Sequence, residues 1–118
     1  MDNCNVGDAE FAMLIKELSK IPDFQSIIYR NNDFNVKSAF ALPMLLSKKA
    51  PNNLHELRIV NCHTTAKAID FLLLTLQNNH NLVRLALTNM TFTENNIKLL
   101  CNYLKNNTTL RYLDLSWN

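Results

Sequence analysis

Apolar residues recur along this chain with two alternating periods. In Leu54 to Cys62 (LHELRIVNC), Leu82 to Met90 (LVRLALTNM) and Leu110 to Asn118 (LRYLDLSWN), the first, fourth and sixth positions are apolar, and successive stretches lie 28 residues apart. Within them Leu57 and Ile59, Leu85 and Leu87, and Leu113 and Leu115 alternate with other residues, the two-residue period of a strand with one buried face. Between the stretches the period lengthens. Ile69, Leu72 and Leu76, then Ile97, Leu100 and Leu104, are spaced three and then four apart, which places each set on one helix face.

The pattern runs back toward the N-terminus in a weaker form. Phe24, Ile27, Tyr29 and Asn32 take the places of Leu54, Leu57, Ile59 and Cys62 at a spacing of 30, with two extra residues near Lys48 to Pro51. A further 28 residues back, Met1 and Cys4 fall where Tyr29 and Asn32 fall. Phe11, Leu14 and Leu18, and Ala39, Leu42 and Leu46, continue the helical spacing. Each helical stretch is preceded at the same offset by Gly7, Asn35, Thr65 or Thr93, and the last three are good N-caps. The spacing predicts helices at roughly 8–20, 36–48, 65–78 and 93–106, with Pro43 kinking the second or costing it a backbone bond. Strands joined by one helix and two short loops should lie parallel.

The signature L-x-x-L-x-L-x-x-N/C at this length resembles the leucine-rich repeat, and the strand-plus-helix unit resembles its ribonuclease-inhibitor-like subfamily across essentially the whole chain. The resemblance implies an α/β leucine-rich repeat solenoid, a horseshoe segment with parallel inner strands and outer helices. The chain is then a single array over 1–118, with units at about 1–23, 24–53, 54–81, 82–109 and 110–118, the first and last partial. Solenoids carry polar caps at their ends and Leu113 and Leu115 would lie in an uncapped strand, so a fragment of a longer array, or an array covered at its ends by a neighbouring chain, is expected. The resemblance further implies that Cys4, Asn32, Cys62 and Asn118 turn inward to hydrogen-bond backbone of neighbouring coils, which Met90 cannot do. The Gly expected in the subfamily's helical segment is missing here.

Composition narrows the function. Asparagine appears 18 times and glycine once, so left-handed and turn positions fall mainly to Asn, and the clusters at 52, 77 and 105 read as connections. A single Gly excludes phosphate-binding loops of the P-loop and dinucleotide types. Twelve Lys and Arg against ten Asp and Glu leave a charge of +2, which points neither to nucleic acid nor to an anionic membrane. No secretory signal or long apolar run is present, and Cys4, Cys62 and Cys101 lack CxxC spacing, so reduced thiols in the cytoplasm are expected. Cys101, next to a core-facing helical position, is expected to be a buried thiol. His55, His63 and His80 fall at unrelated repeat positions as surface residues, and no metal site, catalytic pair or cofactor site can be assembled. The Asn-x-Thr triplets at Asn89, Asn106 and Asn107 are chance matches in an Asn-rich chain, and the lysines from Lys16 to Lys105 fall on a solvated outer helix surface.

The residues left to carry function point off the inner strand face, in columns that read Ser26, Glu56, Arg84, Tyr112; then Ile28, Arg58, Ala86, Asp114; then Arg30, Val60, Thr88, Ser116. Glu56, Arg58, Arg84, Tyr112, Asp114 and Trp117 are the candidate protein-binding residues. Tyr and Trp are favoured at interfaces because they bury large area at low entropic cost. The expectation is a non-enzymatic protein-interaction module or scaffold, with protein partners in a larger assembly and no nucleic acid, membrane or small-molecule substrate. The resemblance extends this to a ciliary or other cytoskeletal assembly. It also raises an alternative, a GTPase-regulating role like that of the Ran GTPase-activating proteins; no residue here aligns with the Arg or Asn that family would place on an edge loop, although Arg30 is available in principle, and acceleration of GTP hydrolysis by a small GTPase would discriminate the two.

Overall fold

The computed structural model describes residues 1–47, 49–50 and 52–118. Lys48 and Pro51, where the sequence places part of the two-residue insertion and the end of the second helix, lie outside them. The chain alternates helix and strand in the order α1 (Asp8–Leu18), β1 (Ser26–Arg30), α2 (Val36–Ala41), α3 (Pro43–Leu46), β2 (Glu56–Val60), α4 (Ala66–Leu76), β3 (Arg84–Thr88), α5 (Glu94–Asn106) and β4 (Tyr112–Asp114). The strands form one parallel sheet in the order β1-β2-β3-β4, so the protein is α/β.

Sheet register and sequence period are the same thing in this molecule. Leu57 pairs with Ile27 and with Leu85, and Leu85 with Leu113, at the spacings of 30 and 28 seen in the repeat. Because side chains alternate along a strand, this register lines Ile27, Tyr29, Leu57, Ile59, Leu85 and Leu87 on one face, where each is at most 2% exposed. The helices pack against one another in chain order, α1 on α2, α2 on α4 and α4 on α5. The helices and the connections beside them supply the rest of the core, including Phe11, Ile15, Leu42, Leu46, Ile69, Leu72, Leu73 and Leu76. Phe11 stacks on Tyr29 with ring centroids 3.7 Å apart, and the Tyr29 hydroxyl donates toward the Val6 and Asp33 carbonyls at 2.9 Å. Burial pushes that phenol well above its ordinary pKa, so it remains the neutral donor.

The helix starts fall where the sequence places them, but the capping differs. Thr65 accepts from the Ala68 N–H, and Thr93 forms a reciprocal box with Asn96, whose side chain accepts from the Thr93 N–H. Asn35 makes no side-chain cap. Its place is taken by Asp8 of the preceding helix, whose carboxylate accepts from the N–H groups of Asn35 (2.8 Å), Lys37 (3.0 Å) and Ser38 (2.9 Å) and from the Ser38 hydroxyl (2.6 Å). Desolvation raises the Asp8 pKa, but the hydrogen bonds from Ser38, Asn35 and Lys37 outweigh it and hold the carboxyl below its usual range. The cap therefore contributes fully above the unfolded value of 3.8 and is lost as pH falls through the lower folded value. Asp8→Ala is expected to cost about 0.5–2 kcal/mol in urea unfolding at neutral pH. The gap from the native chain should close in acid, and a gap independent of pH would contradict the charged cap.

Pro43 breaks the second helix. It has no N–H, so α2 ends at Ala41 and α3 restarts with Pro43 in its first turn, while Leu42, Leu45 and Leu46 remain buried. The last helix departs from expectation by one residue of rotation. Asn96, Leu100 and Tyr103 are buried, whereas Ile97 and Leu104 are exposed. Asn96 is drawn inward because its amide donates to the Ala66 carbonyl and to the Asp70 carboxylate. Cys101, expected to be buried, is exposed, since one residue past Leu100 turns about 100° around the helix.

Candidate docking face of the sheet

The helices cover one face of the sheet, and the other presents the alternate residues of each strand. The register sets Ser26, Glu56, Arg84 and Tyr112 in one row and Ile28, Arg58, Ala86 and Asp114 in the next, as the period-two reading requires. Glu56 lies at the centre of a small polar network. Its carboxylate accepts from the Ser26 hydroxyl of β1 at 2.7 Å and from Arg58 Nε at 2.7 Å, two residues along the same strand. The Ser26 hydrogen bond holds the Glu56 pKa below the usual range against the opposing desolvation, helped by Arg58 and by the charge of Arg84. Glu56 is therefore an anion at neutral pH, and it forms an ion pair with the Arg58 guanidinium at 2.7 Å.

The Arg58 guanidinium sits 6.0 Å from the centroid of the Tyr112 ring, at the outer reach of a cation–π contact. It spans from β2 to β4 because Ala86, its register partner on β3, is too small to block the way. Asp114 accepts from the Ser116 hydroxyl at 2.5 Å and the Ser116 N–H at 2.9 Å, and these bonds depress its pKa. Arg84 is exposed and forms no ion pair among the described residues. Five of the six candidate residues thus lie together on one open face, with a paired Glu56–Arg58, an Arg84 open to solvent and a half-exposed Tyr112.

Trp117 stands apart. It lies in the turn after β4 with φ 63° and is 87% exposed. A left-handed backbone costs a bulky residue roughly 1–2 kcal/mol. In the other units that position belongs to Asn31, Asn61 and Asn89, all at positive φ of 51–55°. Their amides form a ladder across the strand ends, Asn89 donating to Asn61, Asn61 to Asn31 at 2.5 Å, and Asn31 to Asp2 at 2.6 Å. Sequence reasoning assigned left-handed turns to Asn in general but missed this row; its signal was the 30- and 28-residue spacing of the three asparagines. A second row was also missed. Asn79 and Asn107 bind the N–H groups of Leu82 and Leu110 just before β3 and β4, and Asn79 also reaches the Leu46 carbonyl.

The row of Asn32, Cys62 and Asn118 turns toward backbone. Asn32 accepts from the N–H groups of Cys4 and Val6, the Cys62 thiol donates toward the Tyr29 carbonyl at 3.6 Å, and Asn118 donates to the Leu87 carbonyl and accepts from Met90 N–H. Cys4 differs in being exposed, its thiol 3.2 Å from the Asp2 carbonyl. The histidines are all exposed; His63 Nδ1 lies 3.8 Å from an Asp33 carboxylate oxygen, too solvated a pair to matter much. Among the described residues no group of three or more His, Cys, Asp or Glu could hold a metal, and no helix is long and apolar enough to cross a membrane. A groove of about 670 Å³ lies at the strand-end turns and is lined by polar groups such as Asn3, Asn31, Asp33, Asn61 and His63. Compared with models of known families and with curated proteins, the chain matches no family model and no curated protein, so the open face itself carries the functional reading.

Proposed function

We propose that the chain is a leucine-rich repeat solenoid of the ribonuclease-inhibitor-like kind, a horseshoe segment, and that it serves as a non-enzymatic protein-interaction module whose partner docks on the open sheet face. The observation that carries the reading is the asymmetry of the sheet. One face is sealed by helices, while the other displays Glu56, Arg58, Arg84, Tyr112 and Asp114 in a fixed register. Support for the repeat reading comes from three parallel strand pairings that follow the sequence period and from inward Asn and Cys groups bonded to neighbouring backbone.

An Arg open to solvent and a Tyr held beside it suit a surface that buries aromatic and charge-assisted contacts on binding. Cytoplasmic placement belongs to the same proposal on the strength of the cysteine pattern, and placement within a cytoskeletal or ciliary assembly rests on the resemblance alone. The test replaces Arg58, Arg84 and Tyr112 together by Ala, changes that leave the core untouched. Proteins retained from a cell lysate by the native chain are expected to be lost, with about 2 kcal/mol or more of binding energy removed.

A further inference from the structure

Where the strands begin, a groove of about 280 Å³ crosses the sheet, lined by Gln25 and Ser26, His55 and Glu56, and Val83 and Arg84. These pairs stand on or just before β1, β2 and β3, and β2 and β3 each have a strand on both sides. The backbone here is already engaged. The Gln25 carbonyl accepts from the His55 and Glu56 N–H groups, and the His55 carbonyl from those of Val83 and Arg84. Side chains alone decide what the groove can take.

Its one carboxylate is occupied on both oxygens. Glu56 Oε2 accepts from the Ser26 hydroxyl at 2.7 Å, and Glu56 Oε1 from Arg58, with Nε and a terminal nitrogen each at 2.7 Å. Gln25, His55 and Arg84 differ: all three are exposed, and their side chains make no hydrogen bond or ion pair among the described residues. A guanidinium can only donate, and the Gln amide and the imidazole each carry a donor as well. Because Glu56 and Arg58 neutralise one another, Arg84 leaves the groove a single positive charge. A carboxylate matches that charge and accepts from a guanidinium through two parallel bonds. A phosphate monoester, with nearly two negative charges, would be repelled by the neighbouring Glu56 anion.

We propose that this groove is a carboxylate subsite, into which a protein docked on the open face inserts an Asp or Glu side chain, held by Arg84 and flanked by the His55 and Gln25 donors. The subsite rests on the docking role proposed for that face and adds the chemistry of what docks. Glu56 is a positioning residue in it: by holding Arg58 it leaves Arg84 free for the incoming acid.

The test titrates the isotope-labelled 118-residue protein with the peptide acetyl-Ala-Ala-Glu-Ala-Ala-amide, followed by the backbone amide and arginine Nε–H resonances. Saturable shifts centred on His55, Glu56 and Arg84 are expected, with a Kd on the order of 1–10 mM for one charge-assisted contact. The same peptide with Gln in place of Glu should give none. Arg84→Gln, a change at an exposed position, should weaken binding by about tenfold or more. No saturable shift, equal shifts from the Glu and Gln peptides, shifts unchanged in Arg84→Gln, or tighter binding of a phosphoserine peptide would overturn the subsite. Partner retention by Arg58→Ala/Arg84→Ala/Tyr112→Ala reads the face separately. Partners lost there, with no response to the Glu peptide, would keep the docking face and strike the subsite. Partners retained there, with a Glu-specific response, would overturn the docking role and with it the partner's use of the groove.

Discussion

Leu85→Ala is expected to destabilise the protein by about 3–5 kcal/mol, a large share of the 5–15 kcal/mol that holds a domain of this size together. Leu85 is fully buried on β3, with Leu57 and Leu113 as register partners on either side. Truncation removes its transfer energy and leaves a cavity between two strands that the fixed register prevents from closing. Leu113→Ala on half-exposed β4 should cost only about 1–2 kcal/mol, because less apolar surface returns to water. Urea unfolding of both variants reads the difference. Similar losses at the two positions would mean that β4 is as well covered as β3, contrary to the burial of these strands.

Asn79→Ala should be among the costlier polar substitutions, at roughly 2–4 kcal/mol, since each buried group left without a partner costs about 1–3 kcal/mol. Asn79 is 2% exposed, and its amide donates to the Leu46 carbonyl at 2.8 Å while its oxygen accepts from the N–H groups of Asn81 at 3.1 Å and Leu82 at 2.9 Å. No methyl group can replace those bonds, and the space is too enclosed for solvent to do so freely. Its neighbour Asn78 is exposed, so Asn78→Ala should stay within about 0.5 kcal/mol of the native chain. The pair separates asparagine as a structural staple from asparagine as a product of biased composition. Equal small effects at both positions would remove the staple.

Strand positions and register were legible because a parallel sheet whose neighbours are consecutive in sequence converts the repeat spacing directly into pairing. Leu57, Leu85 and Leu113 pair at the spacing that first marked them as equivalent. The helix starts at Gly7, Asn35, Thr65 and Thr93 were legible for the same reason. Contacts made between units were not. Asp8 reads as an ordinary acidic residue in a helix first turn, and only the packing of α1 on α2 shows that it caps a helix beginning 28 residues later. In α5 the apolar spacing alone favoured Ile97 and Leu104, while the hydrogen bonds of Asn96 and the bulk of Tyr103 turned a neighbouring face inward.

Much of the candidate face was legible too, since a two-residue period on registered strands fixes which side chains share a side. Glu56, Arg58, Arg84, Tyr112 and Asp114 come together as the alternation requires. Trp117 was grouped with Arg84 and Tyr112 because it is aromatic and follows the same strand. Its left-handed turn sends it instead to the row of Asn31, Asn61 and Asn89. The Arg58 contact with Tyr112 could not be read either, because it skips a strand and depends on Ala86 being small.

The central claim is that the open face of the sheet, and not the helical surface, is where a protein partner binds. Its most direct measurement compares the proteins retained by the native chain, by Arg58→Ala/Arg84→Ala/Tyr112→Ala, and by a helix-surface variant carrying Ala at the exposed positions Lys37, Lys67 and Lys98. The account predicts that partners retained by the native chain are lost from the sheet-face variant and kept by the helix-surface variant. Loss from the helix-surface variant alone, or the same proteins retained by all three, would contradict it.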